Sequence, residues 1–213
     1  MLKNVLLAGF ALLLLTQCQP KDKEVLIQTS MGDMRIQLFN STPKHRDNFI
    51  KLAKEGYYDG LLFHRIIKGF MIQGGDPDSK DAPAHQMLGQ GGPGYQVDAE
   101  IGELHYKGTL SAARMPDGVN PEKKSSGSQF FVVQGFPVKD QDLAQASQRS
   151  GLQYTAEQKQ RYIQEGGYPF LDGDYTVFGQ VVEGLEVIDK LSNVETGQAD
   201  RPKEDIQMKI TVL

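Results

Sequence analysis

Hydrophobic residues change their spacing twice along the chain. After Lys3 they form an apolar run over residues 5–15. A positive start followed by such a run predicts an export signal over residues 1–17, too short to span a bilayer comfortably. Residues 18–23 are mostly polar and read as a tether. From Glu24 the apolar runs become short and rich in β-branched residues. Runs at 24–29 and 34–39 flank a turn and predict a hairpin, with Met34, Ile36 and Leu38 alternating against Arg35 and Gln37. Ser41-Thr42-Pro43 predicts a capped helix start, with Phe49, Ile50, Leu52 and Ala53 as its apolar side and Gly56 as its stop. Further strands are predicted at 62–67, 70–73, 108–113, 129–133, 176–182 and 206–212, and a short helix at 185–191. Residues 139–167 interrupt this spacing. They are polar and helix-prone, with a capping-box pattern at Thr155 and Gln158 and a stop at Gly166-Gly167. The pattern predicts one mainly β domain over residues 24–213, a closed antiparallel barrel capped by helices, because closure removes exposed strand edges.

Composition narrows the functions available. The net charge of -4 leaves no global positive field to hold nucleic acid. The single cysteine, Cys18, excludes an internal disulfide and a cysteine-based zinc site. It ends the segment Leu15-Thr16-Gln17-Cys18, which resembles a bacterial lipoprotein cleavage site where the Cys becomes the lipidated first residue. Gln17 stands where a small residue is usual. An ordinary secretory signal with an incidental thiol is the other reading. The lipoprotein reading predicts a lipid-anchored protein of the bacterial cell envelope, held by two or more acyl chains, with no membrane face specified. Nothing in the sequence signals oligomerisation, so a monomer is the default.

Three segments carry candidate chemistry. In Phe63-His64-Arg65-Ile66-Ile67-Lys68-Gly69-Phe70-Met71-Ile72-Gln73-Gly74-Gly75-Asp76, Arg65 and Gln73 are polar residues among apolar neighbours. The others are Ser126-Gly127-Ser128-Gln129-Phe130-Phe131-Val132-Val133 and the stretch from Phe170-Leu171-Asp172 to Tyr175. Periodicity alone does not bring them together, and each also fits plain strand packing. Competing motifs are weak. Gly89-Gln90-Gly91-Gly92-Pro93-Gly94 satisfies G-x-G-x-x-G but lacks a strand–turn–helix context, so it reads as a tight surface loop. The four histidines show no metal-ligand spacing, and His64 reads as a packed support residue. Ser125, Ser126 and Ser128 lack a nucleophile-elbow context.

In this order the three segments, with Leu110-Ser111-Ala112-Ala113-Arg114, resemble the cyclophilin family of peptidyl-prolyl isomerases over nearly all of residues 25–213. The resemblance implies an eight-stranded closed barrel capped by two helices, an outer-surface pocket for proline-containing polypeptides, and neither metal nor organic cofactor. Arg65 matches the catalytic arginine. Phe70, Met71, Phe131 and Leu171 match the proline pocket. Gln73 and Gln129 match polar residues that fix the substrate backbone or support the arginine. Ala113 and Arg114 match the stretch beside the residue preceding proline, although Asn is common where Arg114 stands. Phe170 and Tyr175 replace a Trp and a His of many eukaryotic members at the substrate site, and Lys68 replaces a Pro.

The implied chemistry is rotation about X-Pro. It breaks amide resonance against a barrier of ~18–20 kcal/mol and needs only preferential binding of the twisted bond. The twisted prolyl nitrogen recovers a lone pair to which a guanidinium can donate, and arginine stays charged at any working pH. A pure binding module, a chaperone or scaffold for Pro-containing segments, is the alternative, but binding alone does not require Arg65. A third reading is a structural lipoprotein whose insertion binds a partner. The insertion leaves and rejoins the barrel between Phe131 and Phe170. It is expected to pack Leu143, Leu152, Tyr154, Tyr162 and Ile163 onto the barrel, either as a flap over the groove or as a solvated decoration.

Overall fold

The computed structural model describes residues 23–213. Cys18, the export run and the tether up to position 22 lie outside the described residues. Lys23, expected to end the tether, already belongs to the first strand. That strand, β1 (Lys23–Thr29), pairs with β2 (Gly32–Leu38) as the predicted hairpin. The main sheet continues through β3 (Arg65–Ile67), β4 (Met71–Gly74), β6 (Thr109–Ala112), β8 (Phe130–Val133), β9 (Val177–Glu183) and β10 (Met208–Val212). The spatial order of its eight strands is β10-β1-β2-β9-β6-β8-β4-β3, with every pairing antiparallel. Short strands β5 (Gln96–Val97) and β7 (Ser125–Ser126) form a separate ribbon.

The closed barrel expected from the sequence is corrected here to a half-barrel. The sheet curls, but its edge strands β3 and β10 share no ladder. β3 has only three residues, too few to carry a second partner along its length. The irregular chain before it makes isolated bonds instead. Gly60 N–H donates to Met208 O (3.0 Å), Met208 N–H to Leu61 O (2.8 Å) and Phe63 N–H to Ile206 O (2.9 Å).

Alternation along the strands builds two apolar clusters from one sheet. Every residue of β8 is buried. Phe130 and Val132 face inward with Ile72 and Leu110 into the main core, while Phe131 and Val133 face outward with Met71 into a separate cluster. Helix α1 (Pro43–Lys54) packs against β9 and β10, and α4 (Leu185–Ser192) against β2, β3 and β4, supplying the two expected helical covers. Thr42 does not cap α1 as expected: its Oγ1 is buried without a partner. The Glu100 carboxylate accepts the Lys44 and His45 amides instead (3.1 and 3.0 Å).

The insertion is two helices, α2 (Asp140–Ser150) and α3 (Ala156–Glu165). Thr155 and Gln158 make the predicted capping box, with Gln158 N–H donating to Thr155 Oγ1 (3.2 Å) and Thr155 N–H to Gln158 Oε1 (2.8 Å). Leu143, Tyr154 and Tyr162 pack with Tyr106 and Val138 in a third cluster. Leu152 and Ile163, expected to join them, are exposed. No helix among the described residues is long and apolar enough to cross a membrane.

Candidate active site

Hydrogen-bond register brings the first two chemistry-bearing segments together. Arg65 on β3 lies opposite Gln73 on β4, and Gln73 opposite Phe131 on β8. Gln73 Nε2 donates to Gln129 Oε1 (3.1 Å), and Gln129 Nε2 donates to Gly91 O (2.8 Å). The two amides therefore form an oriented relay beside Arg65. The Arg65 side chain is 42% exposed, and its Nε contacts Asp200 Oδ2 at 3.4 Å. No protein group among the described residues takes its Nη donors, which leaves them available to a ligand.

The apolar flank is the outward cluster of Met71, Phe131, Val133 and Leu171, bordered by Phe70, Ala113, Tyr168 and Tyr175. Phe70 packs on Tyr168 with centroids 4.4 Å apart, and Tyr175 meets Phe131 edge-on at 5.9 Å. Arg114 lays its guanidinium over Tyr175 (4.6 Å) and donates to Asp174 O (2.6 Å) and Asp117 (2.6 Å). Its side chain thus holds the rim. The Ala113 backbone is engaged with Gln129 O (3.0 Å) and Ser126 N–H (2.8 Å). Phe170 lies apart from this wall. It stacks on Phe136 (6.3 Å) in the cluster beneath the insertion and meets Tyr168, at the border of the apolar wall, edge-on.

Several supports carry no recognisable sequence signal. Asp76 is fully buried and accepts the Asp78 amide (2.9 Å) and the Gly89 and Gly91 amides. The glycine-rich stretch, expected to be a plain surface loop, is in this way folded against the site. A Cβ at Gly91 would lie 2.1 Å from Asp76 Oδ1, so only glycine fits there. The loop, Gln73, Gln129, Ala113 and Arg114 line a groove of about 430 Å³.

Asp172 is the second missed support. Its carboxylate has no exposed surface. It accepts the His105 amide (2.9 Å) and the hydroxyls of Tyr154 (2.8 Å) and Tyr162 (2.7 Å), and it pairs with His105 Nδ1 (2.8 Å). Burial and the nearby carboxylate push both tyrosine pKa values well up, so the hydroxyls stay protonated donors. His105 stacks on the pocket residue Phe131 (6.3 Å, 11°). The insertion thereby meets the pocket wall from behind, and Arg149 reaches the rim at Asp174 (3.6 Å).

His64 lies behind Arg65, only 3% exposed. Neither ring nitrogen has a hydrogen-bond partner of normal geometry, although the Leu62 backbone and Asp76 favour the protonated ring. Desolvation wins and lowers its pKa to about 4, leaving it neutral near pH 7.

A row of polar side chains on or beside short outer strands borders an apolar patch and a groove on the outer face of a curled sheet. Residues 24–212 match the family "Cyclophilin type peptidyl-prolyl cis-trans isomerase/CLD". The chain belongs to this family and is a peptidyl-prolyl cis-trans isomerase. A Staphylococcus aureus (strain USA300) protein, provisionally named a peptidyl-prolyl cis-trans isomerase, is 35% identical over 191 residues, covering 89% of this chain and 91% of its own. A Streptococcus pyogenes protein, provisionally named a bifunctional phosphatase/peptidyl-prolyl cis-trans isomerase, is 42% identical over 190 residues, 86% of this chain. That alignment spans only 37% of the streptococcal protein. The crystal structure of a cyclophilin type isomerase of Cryptosporidium parvum superposes with a TM-score of 0.66 at 29% identity, covering 90% of this chain and 98% of its own. A second structure of that protein, obtained in the presence of the dipeptide Ala-Pro, gives 0.64 at 29% identity, covering 89% and 98%.

Proposed function

We propose that Arg65 drives the isomerisation by donating to the prolyl nitrogen of a substrate whose proline ring sits against Met71, Phe131 and Leu171. The observation that carries this reading is a half-exposed guanidinium with unclaimed Nη donors, in cross-strand register with the Gln73 relay. A charge-assisted hydrogen bond contributes about 1.5–3 kcal/mol net. A 10⁵-fold acceleration corresponds to about 7 kcal/mol. Arg65 therefore supplies part of the effect. The rest falls to the apolar wall that fixes the ring and to the preorganised amides on the side of the rotating carbonyl. Arg65→Ala should lower kcat/KM on an X-Pro peptide by about tenfold to a hundredfold, the equivalent of that one bond, with an unchanged unfolding midpoint. A protease-free exchange assay reads this, and near-normal turnover by the folded variant refutes the mechanism.

The substrates we infer are exported or envelope proteins whose folding waits on X-Pro rotation. The apolar run over residues 5–15 and Cys18 behind it support lipid attachment in a bacterial envelope. Mass spectrometry of the mature N-terminus tests this: a diacylated or triacylated Cys18 is expected, and an unmodified terminus at another residue excludes it.

A further inference from the structure

The hairpin of β3 and β4 closes through the turn Lys68-Gly69-Phe70, which delivers Phe70 to the border of the apolar wall. β3 is an edge strand of three residues, paired to β4. Gly69 takes left-handed backbone (φ 76), and Phe70 N–H donates to Ile67 O (3.0 Å) across the turn.

Gln134, the residue after β8, holds this turn twice. Its N–H and that of Gly135 donate to Phe70 O (3.0 and 2.9 Å), a bond that any residue but proline would make. Its side chain adds what the backbone cannot: Oε1 accepts Gly69 N–H at 2.6 Å. The amide is turned that way from its other end. Nε2 donates to Asp189 Oδ1 on α4 (3.2 Å), and Asp189 also takes Lys107 Nζ, 2.9 Å from Oδ1 and 2.7 Å from Oδ2. Burial works against the Asp189 charge, but the bonds from Lys107 and Gln134 outweigh it and lower its pKa. An ionised carboxylate can only accept, so it selects the Nε2 edge of Gln134 and leaves Oε1 for Gly69. Reversed, the amide would set Oε1 against a carboxylate and Nε2 against an N–H, losing both bonds.

Phe70 depends on the turn for its aim. Its ring packs on Tyr168 and borders the cluster of Met71, Phe131, Val133 and Leu171. A ring whose backbone is already fixed costs less to order when a ligand arrives.

We propose that Gln134, held in one amide orientation by Asp189, is a positioning residue that sets Phe70 against the substrate's proline ring. The proposal rests on the placement of that ring on the outward apolar cluster.

The test uses the whole chain and acetyl-Ala-Ala-Pro-Ala amide, with isothermal titration for Kd and exchange spectroscopy for kcat and KM. Gln134→Met keeps the length of the side chain and removes both of its bonds. It should raise Kd and KM about fivefold, the worth of one net hydrogen bond, and leave kcat unchanged. In a Phe70→Ala background the same substitution should raise neither constant further. Asp189→Leu should raise KM about twofold, because the unheld amide spends part of its time reversed. Asp189→Asn keeps an oxygen for Gln134 Nε2 and should restore the wild-type KM. The Asp189 side chain is 46% exposed, so this second pair decides the matter even where Gln134→Met does not fold. An unchanged KM in folded Gln134→Met, an equal loss in both Phe70 backgrounds, or a loss in Asp189→Asn as large as in Asp189→Leu overturns the proposal. Unchanged affinity in Phe70→Ala by itself instead refutes the parent placement of the proline, and the proposal with it.

Discussion

The two flanks of the site are built on opposite plans. In the polar flank Arg65 and Gln73 sit on adjacent strands and reach solvent, and Gln73 meets the buried Gln129, one residue ahead of β8, through a single hydrogen bond. In the apolar flank Met71, Phe131 and Val133 stand on β4 and β8, but Leu171 depends on supports outside the sheet. Leu171 precedes Asp172, whose buried carboxylate gathers His105 from a distant segment and Tyr154 and Tyr162 from the insertion. A flank placed by strand register tolerates exposure, because the backbone ladder fixes its geometry. A wall residue carried on an irregular turn, as Leu171 is, needs a buried polar anchor, and such an anchor is costly to leave half-satisfied. Substitutions on the polar flank should therefore change rate alone, whereas those behind the apolar flank should change stability and proline binding together.

The largest break should come at Asp172. Asp172→Ala leaves the buried Tyr162 hydroxyl and the His105 donors unpartnered and Tyr154 with only the Pro169 carbonyl (3.3 Å), which should cost about 3–5 kcal/mol. Chemical denaturation measures that loss. A full-stability variant would show that the insertion does not brace the pocket.

A comparable loss should follow acidification. The pKa of His64 is lowered by burial from 6.5 to about 4 in the folded state. Above pH 6.5 the ring is neutral whether folded or not, and no penalty exists. As pH falls from 6.5 towards 4 the unfolded chain takes up the proton and the folded one does not, so stability declines by about 3 kcal/mol across that window. His45, shifted the same way by burial, adds to the decline. His64→Gln should flatten part of the profile, and identical pH profiles for the two proteins would assign the decline elsewhere.

Arg65→Lys sharpens the contrast from the polar side. A point charge replaces the planar fork, so kcat/KM should drop about tenfold while the denaturation midpoint stays put. A parallel drop in stability would blur the distinction between the flanks.

The smallest effect belongs to Tyr154→Phe. It removes one donor from Asp172 and should cost about 1 kcal/mol, with KM for an X-Pro peptide rising more than kcat falls. A change in kcat alone would place Tyr154 outside the pocket's support.

The strands that carry Arg65, Gln73 and Phe131 were legible in the sequence, whereas their neighbourhood in space comes from the pairing of β3, β4 and β8. The capping box at Thr155 was legible because it is local. Thr42 was not: the group that caps α1 is Glu100, more than fifty residues downstream. Phe170 matched a pocket position in order, yet its ring turns to Phe136, a choice made by packing beneath the insertion.

The sequence by itself determined the strands, the hairpin, the helices and the family. These follow from period, turn chemistry and short-range order, which act over a few neighbours. Only the tertiary structure decided that the sheet stays open between β3 and β10, that Asp76 draws the glycine loop onto the polar relay, and that Asp172 ties the insertion to the outer apolar wall. The reason is physical: a buried carboxylate must collect donors from whatever segments the fold brings within hydrogen-bond reach, about 3 Å, and no local pattern names those segments in advance.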